Sequence, residues 1–249
     1  VYLEAACTAM DAGNPFVAET KIRNVHRTVG TLVSSALAKR FGGAGLPDDS
    51  VTLKYHGAAG QSFAAFASKG MTMVLEGEAN DYVAKGLSGG KIIVKPYAAA
   101  DYDPAENMVA GNVVLYGATR GEVYLNGQAG ERFAIRNSGA TVVVEGVGDH
   151  ACEYMTGGCA VILGSTGVNF GAGMSGGIAY VYDETGNFDN RCNLDTLDLE
   201  QVKLPADCET LKALLEKHVA HTGSPKAKQI VENWEVSLPR FIKVFPMEY

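Results

Sequence analysis

The sequence predicts a mainly β protein: a right-handed parallel β-helix, a solenoid of about six to seven coils with helices at both ends. The chain contains 30 glycines, and each must have a structural reason because an ordered glycine costs conformational entropy. A segment of roughly 20 residues, made of turns and one strand, recurs along the chain. No helical period lies inside the repeat, which favours stacked β coils over helical repeats.

The repeat runs from about residue 51 to residue 183, and a glycine precedes each predicted strand. The predicted corner glycines are Gly70, Gly90, Gly111, Gly139, Gly158 and Gly177. The last three are spaced 19 residues apart, and the longer interval before them is expected to hold an extra short strand, GEVYLNG, at 121–127. One coil buries too little apolar surface to offset the entropy of ordering its backbone, so coils must stack.

Two ladders of inward-facing side chains are predicted along the axis of the solenoid. The ladder that follows the leading glycine of each unit comprises Val83, Phe133, Cys152 and Phe170, and the ladder within the strands comprises Val94, Val143, Ile162 and Val181. A left-handed hexapeptide helix is the rival solenoid. It needs an aliphatic residue at every sixth position, and the corner glycines do not keep that spacing.

The predicted domain organisation has an N-terminal helical segment at 1–50, the β-helix at 51–190 and a C-terminal helical cap and tail at 191–249. Apolar residues over 29–41 follow helical spacing and stop at a glycine pair. Near the C-terminus, Asp207 is expected to cap a helix that ends at Gly223, and Ser224 to cap a second helix that includes Trp234. Helices at the ends would cover the open strand edges of the solenoid.

Composition excludes several classes of function. The 28 acidic and 21 basic residues give a net charge of −7 without a Lys/Arg cluster, so no nucleic-acid partner is expected. No membrane-spanning run or signal peptide is found, which predicts a cytoplasmic protein without a membrane partner. Five cysteines do not form a disulfide framework. The chain begins with Val1, as expected of an excised domain or a separately encoded piece.

One stretch has the glycine spacing of a dinucleotide-binding loop. Gly171, Gly173 and Gly176 form G-x-G-x-x-G, which cradles a pyrophosphate when a strand precedes it and a helix follows. Here the run IAYVYD follows, and its β-branched and aromatic residues predict a strand. Nucleotide binding is therefore the weaker interpretation.

No catalytic or metal-binding residue is predicted. His150, Cys152 and Cys159 lie within ten residues of each other, but Cys152 occupies a ladder position, which favours a buried thiol over a metal ligand. His218 and His221 fall near the end of a predicted helix, where a partly cationic imidazole would suit the helix dipole.

The segments GAAGQSFAAF, EGEANDYVAKGLSGGKIIV and GNVVLYGATRGEVYLNGQAGERFAIRNSGATVVVEGVGDHACEYMTGG closely resemble the C-terminal glycine-repeat (GXGXG) domain of the glutamate synthase large subunit. The resemblance extends through RCNLDTLDLE to LPRFIKVFP, so it covers essentially the whole chain. It implies a right-handed β-helix without catalytic residues. This β-helix would brace an amidotransferase domain, which releases ammonia from glutamine, and a synthase domain, which converts 2-oxoglutarate to glutamate.

The resemblance also implies where the cofactors lie. FMN and an iron–sulfur cluster are expected in the synthase domain, and none in this chain. The expected partners are those two catalytic domains, and the isolated chain could also form a homo-oligomer. Two alternatives stay open: a subunit of a related redox complex such as formylmethanofuran dehydrogenase, which contains a similar glycine-repeat domain, and a stand-alone β-helix enzyme that acts on polysaccharide.

Overall fold

Turns and loops connect the strands and helices of the chain. The computed structural model describes residues 2–247. The strands are β1 (Phe16–Ile22), β2 (Val51–Ala59), β3 (Met71–Ala79), β4 (Ser88–Lys95), β5 (Met108–Ala110), β6 (Arg120–Ala129), β7 (Ser138–Gly146), β8 (Thr156–Ile162), β9 (Gly176–Tyr182), β10 (Leu197–Gln201) and β11 (Phe241–Pro246). The helices are α1 (Leu3–Asp11), α2 (Thr31–Phe41), α3 (Pro205–Thr222), α4 (Pro225–Glu232) and α5 (Trp234–Ser237).

The strands form one sheet in the order β1-β2-β3-β4-β6-β7-β8-β9-β11-β10, with β5 paired to β6. All pairs from β1 to β9 are parallel, as successive coils of a solenoid require. The predicted fold class is confirmed as a mainly β solenoid of about seven turns. The segment 121–127 forms a strand as predicted, but it is not an additional one: it belongs to β6, the full strand of its own coil.

The strands carry two apolar columns on opposite faces. The inner column runs through Leu75, Val94, Leu125, Val144, Ile162 and Val181, and the outer column through Val74, Ile93, Tyr124, Val143, Val161 and Tyr180. Val143 therefore faces outward under α3, and the prediction that it points inward is wrong. Between Ser138 and Thr141, β7 contains one residue more than β8, so counting from Gly139 stops one residue short of Val144.

A second inner column lies on the turn side of each coil. Backbone hydrogen bonds and bridges align Phe63, Val83, Val114, Phe133, Ala151 and Phe170. Cys152 is predicted in this column but lies one residue after it in the chain. The Cys152 N–H donates to the carbonyl of Phe133, and the Gly171 N–H donates to the carbonyl of Ala151, so Ala151 occupies the column position. Between Leu125 and Gln128, β6 contains one residue more than β7, so Gly146 pairs with Gln128 and a count of six from Gly146 passes Ala151 by one residue. Cys152 is nevertheless fully buried in the core.

Both ends of the solenoid are covered by other elements. Helix α1 places Ala6 and Met10 in the inner core, and α2 adds Leu37. At the other end, β11 pairs antiparallel with β9, and β10 pairs antiparallel with β11. The sheet thus extends into both flanking segments, at 1–50 and 191–249, that the sequence predicts as helical. Helix α4 begins after Ser224 as predicted, but Trp234 lies in α5.

Candidate functional site

Clusters of polar side chains join α3 to the outer face of the sheet. Tyr180 OH donates to Asp207 Oδ1 at 2.9 Å, and Lys243 Nζ donates to Asp207 Oδ2 at 2.8 Å. Asp207 lies in the first turn of α3, where a carboxylate also suits the helix dipole. Leu204, not Asp207, is the N-cap residue, so the predicted capping role is wrong. The carboxylate instead fixes the start of α3 to β9 and β11.

A second cluster has the same chemistry near the C-terminal end of α3. Tyr124 OH donates to Glu122 Oε2 at 3.0 Å, and Lys217 Nζ donates to Glu122 Oε1 at 2.7 Å. Burial raises the pKa of Tyr124 and of Tyr180, and the adjacent carboxylates raise it further. Both phenols therefore stay protonated as hydrogen-bond donors at neutral pH. Each cluster is satisfied by its own members, which is typical of structural attachment.

The Asp207 cluster is expected to make stability depend on pH. Burial opposes ionisation of Asp207, but the hydrogen bonds from Lys243 and Tyr180 outweigh it and lower its pKa below the usual value. The contribution of the carboxylate is therefore present above its unfolded pKa of about 3.9 and is lost as pH falls through the native pKa. We expect Asp207→Asn to reduce the free energy of unfolding by about 1.5–3 kcal/mol at pH 7.

Urea denaturation of both proteins across the acid range checks this expectation. The difference between wild type and Asp207→Asn should shrink as pH falls. Glu232→Gln removes an exposed helix pair with Lys228 and serves as the control, with an expected effect of a few tenths of a kcal/mol. A difference that is independent of pH would contradict the linkage.

A serine, a histidine and a glutamate meet beneath the turn between α3 and α4. Ser224 Oγ donates to Glu145 Oε1, and His218 Nε2 lies 3.4 Å from the same oxygen. Ser224 Oγ also accepts from the Ala227 N–H as the N-cap of α4. The hydroxyl does not bond to the imidazole, and all three side chains are buried, so this is not a nucleophile activated by a base. It holds the turn on the sheet.

A polar groove of about 760 Å³ runs beside this turn, between α4, α5 and the sheet. Its lining includes Asp103, Glu184, Lys226 and Arg240. Asp103 Oδ1 accepts from the Ala105 N–H, and Lys226 Nζ lies 3.3 Å from Glu184 Oε1. Asp103, Glu184 and Lys226 thus have partners within the chain.

The histidines and cysteines do not converge on one point. Cys152 lies in the inner core, whereas Cys159 lies on the outer face under α3, where burial raises its pKa to about 12. Over residues 2–247 no group of three His, Cys, Asp or Glu side chains could hold a metal ion. Burial also lowers the pKa of His221, which disfavours the partly cationic imidazole expected at this position.

The dinucleotide-like glycines lead into a strand. Gly171 and Gly173 have φ of +67° in a turn, and β9 begins at Gly176. No helix N-terminus follows these glycines to receive a pyrophosphate. The described part of the chain also contains no helix that is both long and apolar enough to cross a bilayer.

Comparison with known proteins agrees with this repeat architecture. The model of the GXGXG motif family matches residues 2–247. The chain belongs to the GXGXG motif family. It is 50% identical over 248 residues to the glutamate synthase [NADPH] large chain of Bacillus subtilis, covering 99% of this chain and 16% of that protein. It is 51% identical over 247 residues to the glutamate synthase [NADH] of Schizosaccharomyces pombe, covering 99% and 12%.

A further relative of this GXGXG chain is ferredoxin-dependent glutamate synthase 2 of Synechocystis, 50% identical over 226 residues, covering 91% of this chain and 14% of that protein. The chain thus spans between 12% and 16% of the length of these relatives. It matches them as one segment of a much larger polypeptide.

The predicted corner glycines of the GXGXG domain fall into two groups. Gly70, Gly158 and Gly177 have φ of +99°, +85° and +84°, a conformation that favours glycine. Gly90, Gly111 and Gly139 lie outside the left-handed region, so positive φ does not explain why these three residues are glycine.

Close contacts with the previous coil explain the glycine at positions 90 and 111. A Cβ on Gly90 would lie 2.9 Å from the Cβ of Ala67, and a Cβ on Gly111 would lie 2.7 Å from Asp81 N. Gly111 also belongs to a different corner, in a column with Gly130, Gly148 and Gly167.

Sequence reasoning missed the buried Glu145 cluster of the GXGXG domain. Glu145 follows the apolar run of β7 at an outward position, and its partners lie more than 70 residues away in the chain. The signal that could have located it was the pairing of a buried-strand carboxylate with a predicted N-cap serine.

Proposed function

We propose that the chain is a non-catalytic bracing domain of a glutamate synthase, which uses glutamine, 2-oxoglutarate and a reductant to form glutamate. The observation that carries the proposal is its match over 99% of its length to one segment of such proteins. The polar clusters described above support it, because they attach α3 and α4 to the sheet. In this proposal FMN and the iron–sulfur cluster belong to the synthase domain and none to this chain.

The geometry suits a spacer of fixed length. Seven strands from β2 to β9, leaving out β5, stack in parallel, and a spacing of about 4.8 Å makes the stack about 29 Å tall. The inner apolar columns run through these coils without a break. Such a rod would hold the amidotransferase and synthase domains at a constant separation. We also propose a cytoplasmic location, which the five free cysteines support.

Shortening the rod by one coil tests the proposal. Deletion of residues 72–90 joins Met71 to Lys91, the register partner of Thr72, and should lower the stack by about 4.8 Å. In a glutamate synthase large chain that carries this sequence, we expect glutamine hydrolysis and ammonia-dependent glutamate formation to persist. Their coupling should fail, so that hydrolysed glutamine appears as free ammonia. Full coupling in a deletion variant that remains folded by circular dichroism would contradict the bracing role.

Carbohydrate hydrolysis is the second candidate, and the acidic and basic lining of the 760 Å³ groove is the observation in its favour. A glycosidase needs two carboxyl groups flanking one bond, one of them as a proton donor. Asp103 is engaged with a backbone N–H and Glu184 with Lys226, which counts against that role. Incubation with acidic and neutral polysaccharides should release no reducing ends; measurable release that Glu184→Gln abolishes would favour the enzyme instead.

A further inference from the structure

The turn side of the solenoid contains non-glycine residues in the left-handed backbone region. We call its outward side chains, from residues 62–66, 82–86, 115–117, 132–136, 150–154 and 169–173, the turn face. Phe66, Tyr82, Arg136 and Tyr154 have φ of +61°, +66°, +53° and +53°. A side chain in this conformation costs roughly 1–2 kcal/mol relative to glycine. Bulky residues at several such positions need an explanation.

Equivalent positions in neighbouring coils show that the backbone does not require these side chains. Backbone hydrogen bonds align Phe66, Gly86, Gly117, Arg136, Tyr154 and Gly173 in one column. In three of these coils the residue in the column is glycine, and in the other three it is Phe66, Arg136 or Tyr154. Because glycine serves the fold equally well there, the strained side chains have another role.

The aromatic side chains of the turn face are exposed but held in place. Phe66 is 49% exposed and Tyr154 is 50% exposed. A Cβ on Gly86 would lie 2.5 Å from the Phe66 ring, and a Cβ on Gly173 would lie 2.5 Å from the Tyr154 ring, so each ring rests on the glycine of the next coil. Rings fixed in this way lose little entropy on binding a partner.

Cations lie beside these rings. Lys85 Nζ is 5.3 Å from the centre of the Tyr82 ring, and the Arg136 guanidinium is 5.7 Å from the centre of the Tyr154 ring. Arg132 is also exposed, and Glu131 is an exposed carboxylate at the edge of the turn face. The other acidic groups of this side are only partly exposed: Asp81 and Asp149 accept from the backbone N–H groups of Asn112 and Val168, and the largely buried Glu153 pairs with His150.

We propose that the turn face docks onto the catalytic part of the same large chain, through a surface rich in aspartate and glutamate. This inference rests on the proposed function. Tyrosine and arginine are the residue types that dominate binding energy at protein interfaces. An outward-facing set of cations on a chain of net charge −7 selects an acidic partner surface. Relatives are many times longer than this segment, so most of such a polypeptide lies outside it.

Zero-length carbodiimide cross-linking of the full large chain tests the docking, because this reagent joins lysine amines only to carboxylates in contact. We expect Lys85 to be linked to aspartate or glutamate of the catalytic part. Lys228, which is exposed on the helical side of the domain, is the control and should give no such link.

The variant Phe66→Gly/Arg136→Gly/Tyr154→Gly should lower the yield of those links about tenfold, while the melting temperature of the domain is kept or raised, because the backbone strain is relieved. Tyr97→Gly/Tyr102→Gly removes exposed aromatic rings outside the turn face and should change neither measurement.

Each other outcome overturns the inference in a distinct way. Links from Lys228 alone to the catalytic part would reject the turn face while the bracing role stands. Links between two copies of this domain would assign the face to self-association. No link from any lysine of the domain to the catalytic part would reject both the docking and the bracing role.

Discussion

Replacing Gly77 by alanine is expected to lower the free energy of unfolding by about 3 kcal/mol or more. Gly77 lies in β3 with φ of +142°, where the strand bends from one side of the coil to the next. A Cβ at this position would lie 2.9 Å from the carbonyl carbon and 3.3 Å from the nitrogen of Gly57 in the previous coil. These are backbone atoms of a paired strand, so they cannot move aside without breaking the ladder.

Gly13→Ala is the matched control, because it measures the cost of positive φ without a steric clash. Gly13 has φ of +69°, and a Cβ there would meet no atom within 4 Å, so the cost should be about 1 kcal/mol. Urea denaturation of the two variants and wild type measures both effects. Equal losses for Gly77→Ala and Gly13→Ala would show that close stacking of the coils does not determine the choice of glycine at the bend.

The repeat architecture could be predicted because glycine spacing and strand composition are local signals. The register could not be predicted, since one extra residue in a strand shifts every later count. Ser138 pairs with Gly157, but Thr141 pairs with Cys159, and this irregularity moved Val143 to the opposite face from the one predicted. Because side chains alternate along a strand, an error of one position reverses inward and outward.

The ends of the sheet were harder to predict than its middle. Strand β1 shows alternating burial, but it lies 35 positions before its partner, since Phe16 pairs with Val51, and so falls outside the period of the repeat. Strand β11 joins the sheet antiparallel, opposite β9, which no parallel repeat implies. Both pairings depend on the folded solenoid that they extend.

The side-chain partners in the polar clusters likewise could not be predicted from the sequence. Asp207 has the residue type and position of an N-cap, yet Leu204 followed by Pro205 starts the helix earlier. The carboxylate is then free to receive Tyr180 and Lys243, whose proximity depends on the pairing of β9 with β11. Nor does any local pattern reveal that Phe66 and Tyr154 adopt positive φ, because these residue types avoid that region in most contexts.

Phe133→Ala is expected to lower the free energy of unfolding by about 3–5 kcal/mol. The Phe133 side chain is fully buried in the turn-side column, between Val114 of the coil before and Ala151 of the coil after. Coils on both sides hold their positions through backbone ladders, so the surroundings cannot collapse into the space that the ring leaves. The variant therefore loses both the transfer energy of the ring and the contacts of its neighbours.

Leu32→Ala is the control for the loss of an apolar side chain without a cavity. Leu32 is 72% exposed on α2, and its replacement should change the free energy of unfolding by no more than about 0.5 kcal/mol. Equilibrium denaturation with urea compares the two variants under one condition. In a solenoid each coil is stabilised chiefly by its two neighbours, so a cavity in a central coil weakens both of its interfaces. A loss at Phe133 as small as that at Leu32 would mean that this column does not hold the coils together.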